Sequence, residues 1–100
     1  MAAYFVVHDR VKDAKKLHEY IGKAHETMAP YKPELLVADE NSTVLEGKTD
    51  LPRTIVFKFD TREAAMAWYN SPEYQAILPL RLEATEGYAL LVDGFVFPQQ

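Results

Sequence analysis

The sequence predicts an α+β fold in which two helical segments cover one face of an antiparallel sheet. Three observations support this fold class. Short runs of β-branched and aromatic residues alternate with segments of helical periodicity. Both helical segments begin at residues that cap helices well, and the elements follow the order β-α-β-β-β-α-β. This order is typical of a ferredoxin-like sandwich with one additional strand, and 100 residues fit a single domain over 1–100.

The first two elements are a strand and a helix. Residues 3–8 are apolar on both faces, which predicts a strand in the centre of the sheet. Asp13 is the expected cap of the helix that follows, and Pro30 should end it because proline disfavours helix at the preceding residue. Apolar residues recur in this helix at helical spacing: Ala14, Leu17, Ile21, Ala24 and Met28.

The middle of the chain predicts three strands. Residues 35–38 and 43–46 are expected to form a hairpin, because the four residues between them are turn formers. A loop over 47–52 then leads to a strand at 53–59. Alternate residues of this last strand face one side of the sheet: Arg53, Ile55, Phe57 and Phe59.

The second helical segment carries the strongest boundary signals in the chain. It begins at a cap, Asp60 or Thr61. Ser71 and Pro72 then provide a second cap and a first helical residue, so we expect two short helices that meet near Ser71. Pro79 should distort the second helix because it lacks a backbone donor, and Gly87 is the expected stop.

The last strand is predicted from Tyr88 to Asp93, and residues 95–97 offer an apolar continuation. Several strands carry apolar residues on both faces, although helices are expected on only one side of the sheet. An exposed apolar sheet face of several hundred Å² is unusual for a monomer. The sequence therefore predicts a homodimer in which two open sheet faces pack together.

The composition argues against several classes of protein. A hydrophobic content of 48 % excludes a disordered chain, and a net charge of −4 argues against general nucleic-acid binding. No apolar run is long enough to cross a membrane, so we expect no membrane partner. The chain has no cysteine, which fits the reducing cytoplasm, and we expect a cytoplasmic location.

No residue pattern indicates a metal or a cofactor. His18 and His25 are seven residues apart, which places them roughly 10 Å apart along a helix, too far to share one metal ion. The chain also lacks a glycine-rich loop that would hold phosphates. We therefore expect neither a metal site nor a cofactor.

Several segments resemble a known family, the one described as domain of unknown function 1330. The similar segments are FDTREAA (59–65), WYNSPEYQ (68–75), Leu80-Arg81 and LVDGF (91–95), together with the first strand and residues 44–47 and 53–56. The resemblance covers essentially the whole chain. It implies a ferredoxin-like fold of the dimeric α+β barrel superfamily, which includes cofactor-independent monooxygenases, isomerases and haem-handling enzymes. It implies no specific reaction.

Two residues are the candidates for catalytic chemistry. His8 ends the first strand, where an imidazole beside a cleft would act as a general base; a surface or hydrogen-bonded structural histidine is the alternative. Arg81 is a cation on a largely apolar helix, where it would receive a substrate carboxylate or enolate. A salt bridge from Arg81 to Glu46 or Asp93 is the alternative.

Other residues are candidates for ligand binding. Trp68, Tyr69 and Tyr74 would form an aromatic wall, although Trp68 also fits the core. Glu46 and Asp93 each precede a glycine at a predicted strand end, where they would flank a pocket or simply end their strands.

These observations leave three hypotheses for function. The first is a homodimeric small-molecule-binding domain with a cleft between the split helix and the sheet. The second is a cofactor-independent enzyme, either a monooxygenase of a phenolic or quinol substrate or an isomerase, in which His8 removes a proton and Arg81 stabilises the anion. The third is a structural or assembly protein without a ligand.

Overall fold

The computed structural model describes residues 1–98 of the chain as a two-layer α+β structure. In chain order the elements are β1 (Ala3–Val11), α1 (Ala14–Met28), β2 (Glu34–Asp39), β3 (Arg53–Phe59), α2 (Arg62–Tyr69), α3 (Pro72–Ala84) and β4 (Thr85–Asp93). The predicted fold class is therefore confirmed, with four strands among the described residues where the sequence predicted five.

The four strands form one open, antiparallel sheet in the order β2-β3-β1-β4. Because successive side chains of a strand alternate between the two faces, the register assigns each residue to a side. Phe5 pairs with Phe57 and Val7 with Ile55, and these residues face the helices. We call this side the covered face and the opposite side the open face.

The helix boundaries follow from their caps. The Asp13 carboxylate accepts a hydrogen bond from the backbone N–H of Lys16, and the Thr61 hydroxyl accepts one from the backbone N–H of Ala64. The Ser71 hydroxyl accepts from the backbone of Tyr74, and Pro72 occupies the first turn of α3. The predicted division into two helices near Ser71 is confirmed.

Two expectations for the end of α3 were only partly met. The helix continues through Pro79 and ends at Ala84, three residues before the predicted stop. Thr85 already has extended backbone and starts β4. Gly87 lies instead inside β4, at φ 147°, where an added Cβ would sit 2.6 Å from the Cα of Asp9. Glycine is needed there for a close approach of two strands and not for a helix stop.

The predicted strand at 43–46 is wrong. Residues 40–52 form an irregular connection between β2 and β3, with Leu45 89 % exposed. β2 pairs directly with β3, so the apolar run at Val44 and Leu45 is left without a strand partner. Residues 95–97 likewise do not extend β4 and are largely exposed.

The core lies between the covered face and the helices. Trp68, Tyr74 and Phe59 are fully buried there, and the Trp68 ring packs 4.1 Å from Tyr74 and 5.5 Å from Phe59 between centroids. The Trp68 Nε1–H donates to the Thr27 hydroxyl at 3.0 Å, which joins α2 to α1. A buried indole thus keeps its hydrogen bond.

The open face is apolar, as the sequence predicted. Its apolar side chains come from all four strands: Tyr4, Val6, Val37, Val56, Tyr88, Leu90 and Val92. No helix of residues 1–98 covers them, and Leu90 is 50 % exposed. The same part of the chain contains no helix that is long and apolar enough to span a membrane.

Candidate functional site

A large concavity lies between α1 and the β2–β3 half of the covered face. It has a volume of about 840 Å³, in the range of small-molecule sites. We call it the α1 groove. Its lining is mostly apolar: Phe5, Val7, Ile21, Ala24, Met28, Leu35, Ala38, Ile55 and Phe57.

The α1 groove exists because the helices cover the sheet unevenly. α2 packs on β1, β3 and β4, whereas α1 packs chiefly on α3. The edge strand β2 therefore has no helix above it, and Leu35 remains half-exposed. The uncovered strip between α1 and β2 forms the opening of the groove.

Arg81 places a buried positive charge in this groove. Its side chain projects from α3, lines the groove and is only 6 % exposed. Its Nε has no hydrogen-bond partner, and within residues 1–98 no carboxylate forms an ion pair with it. Burial lowers the pKa of Arg81, but the adjacent Tyr74 and Tyr20 phenols more than offset this and raise it. The guanidinium is thus permanently charged.

Two tyrosines meet beside Arg81. The hydroxyls of Tyr20, from α1, and Tyr74, from α3, are 2.7 Å apart and share a hydrogen bond. Burial raises the pKa of Tyr20 well above its ordinary value, and the proximity of Tyr74 adds to this effect. The Tyr20 phenol therefore remains neutral around neutral pH and does not balance the charge of Arg81.

Arg53 also lines the groove, and it belongs to a buried ion pair. Asp9 and Arg53 are cross-strand neighbours on the covered face, and they are 1 % and 7 % exposed. One guanidinium nitrogen of Arg53 donates to both carboxylate oxygens of Asp9, at 3.0 and 2.9 Å. Glu40 lies 3.7 Å from the Arg53 Nε at the rim. The charge of Arg53 is thus neutralised within the protein, unlike that of Arg81.

Among the residues predicted for the site, Arg81 lines the groove and Tyr74 lies beside it in the core. Trp68 is fully buried, as its core alternative predicted. Tyr69 lines a separate hollow of about 190 Å³ between α2 and β4. Between the split helix and the sheet, where the cleft was expected, aromatic rings fill most of the space and leave this small hollow. The larger concavity lies beside α1.

The remaining predicted residues lie elsewhere. His8 is on the open face, where its ring contacts Tyr88 and its Nδ1 lies 3.2 Å from the Thr54 hydroxyl. Asp93 forms an exposed ion pair with Arg62, and Glu46 is exposed in the connection between β2 and β3. The structure does not bring His8 and Arg81 together, because the sheet separates them.

Sequence reasoning did not predict the Asp9–Arg53 pair or the position of Tyr20 in the groove. Asp9 and Arg53 each continue the alternation of the covered face, Asp9 after Phe5 and Val7. Alternate residues of a strand face the same side of the sheet, so this spacing placed two opposite charges at core positions of two strands. That placement was a usable signal for a buried ion pair. Tyr20 gave no comparable signal, because its place beside Arg81 depends on how α1 packs against α3.

Solved structures similar to this chain share its fold. A protein of unknown function from Rhodopseudomonas palustris, RPA0582, superposes with a TM-score of 0.80 at 11 % identity over 95 % of this chain and 83 % of its own. SnoaB, a cofactor-independent oxygenase from Streptomyces nogalater, has a TM-score of 0.63 at 13 % identity over 99 % and 95 % of the two chains.

A dimeric ferredoxin-like protein of unknown function from Jannaschia sp. CCS1 has a TM-score of 0.62 at 18 % identity, covering 96 % of this chain and all of that one (100 %). No curated protein matches the sequence. The model of one family, described as domain of unknown function DUF1330, matches residues 2–95. The chain therefore belongs to the DUF1330 family, with the ferredoxin-like architecture that its sequence predicted.

Proposed function

We propose that this protein is a homodimeric small-molecule-binding protein whose ligand occupies the α1 groove. The observation that carries the proposal is a large apolar concavity that contains a buried, unpaired guanidinium. Apolar walls with a few well-placed polar groups are the usual composition of a ligand pocket. A purely structural protein would have no use for an uncompensated charge at this position, since burying it is costly.

The proposal is tested by titrating the protein with N-phenyl-1-naphthylamine, a neutral fluorescent probe of apolar sites. We expect saturable binding that Ile21→Asp weakens at least about tenfold, because the new carboxylate lies against an apolar ligand. Leu82→Asp is the matched control, since Leu82 is also exposed on a helix but lies outside the groove. Equal loss of binding in both variants, or no saturable binding to the wild type, would refute the assignment of the groove.

The homodimer is supported by the surface of the chain. A compact monomer of 11.4 kDa exposes roughly 5,800 Å², whereas this chain exposes 6932 Å². The excess of about 1,100 Å² is comparable to one partner's share of a stable interface, which is about 800 Å². The apolar open face is the surface that a second copy would bury, and sedimentation velocity measures the resulting mass.

A cofactor-independent oxygenase or isomerase is the second candidate. It is supported by the fold that the chain shares with SnoaB and by the positive charge of Arg81, which would stabilise a phenolate or enolate. His8 faces the other side of the sheet, so His25, which lines the groove, would be the base there. Oxygen consumption or isomerisation across a panel of phenols and quinols, lost in His25→Ala, tests this candidate.

A further inference from the structure

We infer that the ligand of the α1 groove is an amphiphilic carboxylate whose charged end is received by Arg81 and whose apolar body lies along β3. This inference rests on the proposed binding function and names the chemical class of the ligand. The ligand would supply the counter-charge that the chain does not.

The charge balance around the groove singles out Arg81. Arg53, which lines the groove, is neutralised by the buried Asp9 behind it. Arg81 lies beside tyrosine side chains, chiefly Tyr74 and Tyr20, and no carboxylate of residues 1–98 forms an ion pair with it. An isolated buried charge costs several kcal/mol, and a paired one costs much less. Binding an anion at Arg81 would therefore recover part of a cost already present in the unliganded protein.

The chemistry of the guanidinium favours a carboxylate. Its planar array of N–H groups matches two carboxylate oxygens, and Arg81 lines the groove without a carboxylate partner from residues 1–98. Tyr20 also lines the groove, and its hydroxyl can donate to an additional oxygen when Tyr74 donates the hydrogen bond that the two phenols share. A cationic ligand would be repelled at this end of the groove.

The rest of the groove favours an apolar body attached to that carboxylate. Val7, Ile55 and Phe57 form its floor on the covered face, with Ile21 and Leu35 on the two sides. The volume of about 840 Å³ suits a molecule larger than a simple inorganic anion. The site thus has one charged end and a long apolar remainder.

Isothermal titration with 2-naphthoate and 2-naphthamide tests this inference, because the two probes share the same ring and nearly the same shape, and only naphthoate carries a charge. We expect the wild type to prefer naphthoate at least about tenfold, a preference that Arg81→Met abolishes while naphthamide binding is retained. Lys32→Met is the matched control. It removes an exposed cation that lines the same groove, and we expect it to preserve the preference within about twofold.

The outcomes separate the two proposals. Equal affinity of the wild type for both probes would overturn the inference and leave the binding function standing. Saturable binding of neither probe would overturn both. A preference that Lys32→Met abolishes would also overturn the inference, since the anion would then be received at the rim.

An NMR measurement on the wild-type protein tests the same inference even if the Arg81→Met variant does not fold. The Nε–H resonance of Arg81 can be assigned in a ¹H–¹⁵N spectrum by its disappearance in Arg81→Lys. We expect saturating naphthoate to shift this resonance and saturating naphthamide to leave it nearly unchanged. An Arg81 resonance that does not respond to bound naphthoate would overturn the inference.

Discussion

The two faces of the sheet differ in a way that strand composition alone does not reveal. The covered face contains the buried Phe5 and Phe59, but it also holds charges, in the Asp9–Arg53 pair. The open face carries exposed apolar residues such as Leu90 and Val92, although no helix of residues 1–98 lies over it. In the single chain, the interior thus has charged groups and part of the surface is apolar.

This difference separates structural stability from binding. The aromatic cluster beneath α2 and α3 supplies the hydrophobic burial that holds the two layers together. The α1 groove and the open face are apolar areas that the chain itself leaves uncovered. Each is large enough to need an occupant, and the proposals assign a small molecule to the first and a second copy to the other.

The largest expected effect is the loss of the Trp68 ring, which packs from α2 against the covered face. Trp68→Ala should lower the free energy of unfolding by about 3–5 kcal/mol, because it leaves a cavity among Phe5, Phe59 and Tyr74. Tyr88→Ala, on the open face, should cost about 1 kcal/mol or less in dilute protein. Denaturant titrations of both variants measure the contrast, and similar losses would contradict it.

The next effect concerns the ion pair of the covered face. Arg53→Met should cost about 3 kcal/mol at neutral pH, because the Asp9 carboxylate is then buried without its partner. Arg62→Met removes the exposed pair with Asp93 and should cost at most about 1 kcal/mol.

A double variant shows whether the stability loss of Arg53→Met comes from the unpaired charge of Asp9 or from lost packing. Replacing both members, as Asp9→Leu with Arg53→Met, removes the unpaired charge and should restore most of the stability. If the double variant were no more stable than Arg53→Met alone, the cost would lie in packing and not in the buried charge.

The sequence predicted the parts of this structure that depend on local signals. The Ser71 cap with Pro72 placed the division between α2 and α3, and the two-faced strands predicted an apolar open face. The predicted strand at 43–46 failed because an apolar run forms a strand only where a neighbouring strand pairs with it.

The candidate site was less predictable than the fold. Arg81 was identified from its apolar neighbours in sequence, but the groove depends on the angle at which α1 meets α3. Nothing in the periodicity of α1 encodes that packing. The site roles of His8, Glu46 and Asp93 stay predictions, and the structure places none of these three residues in the α1 groove.

A substitution on the open face tests whether this face forms the proposed dimer interface. Leu90→Asp should weaken self-association about 100-fold, equivalent to about 2.8 kcal/mol, because each copy would bury an unpaired carboxylate. Sedimentation velocity over a concentration series measures the change. Leu82→Asp, on an exposed position of α3, is the control and should leave the dimer intact. A wild type that stays monomeric at about 100 μM would contradict the dimer itself.

The smallest expected effect tests the hydrogen bond that joins α1 to the rest of the covered face. Thr27→Val removes the acceptor of the Trp68 Nε1–H and leaves a buried donor unsatisfied, which should cost about 1–1.5 kcal/mol. Because Trp68 is the single tryptophan of the chain, its fluorescence reports the local change directly. Thr49→Val, in the exposed connection before β3, should change stability by less than about 0.5 kcal/mol. If Thr27→Val also altered probe affinity in the α1 groove, this hydrogen bond would set the position of α1 over β3, and the shape of the groove would depend on it.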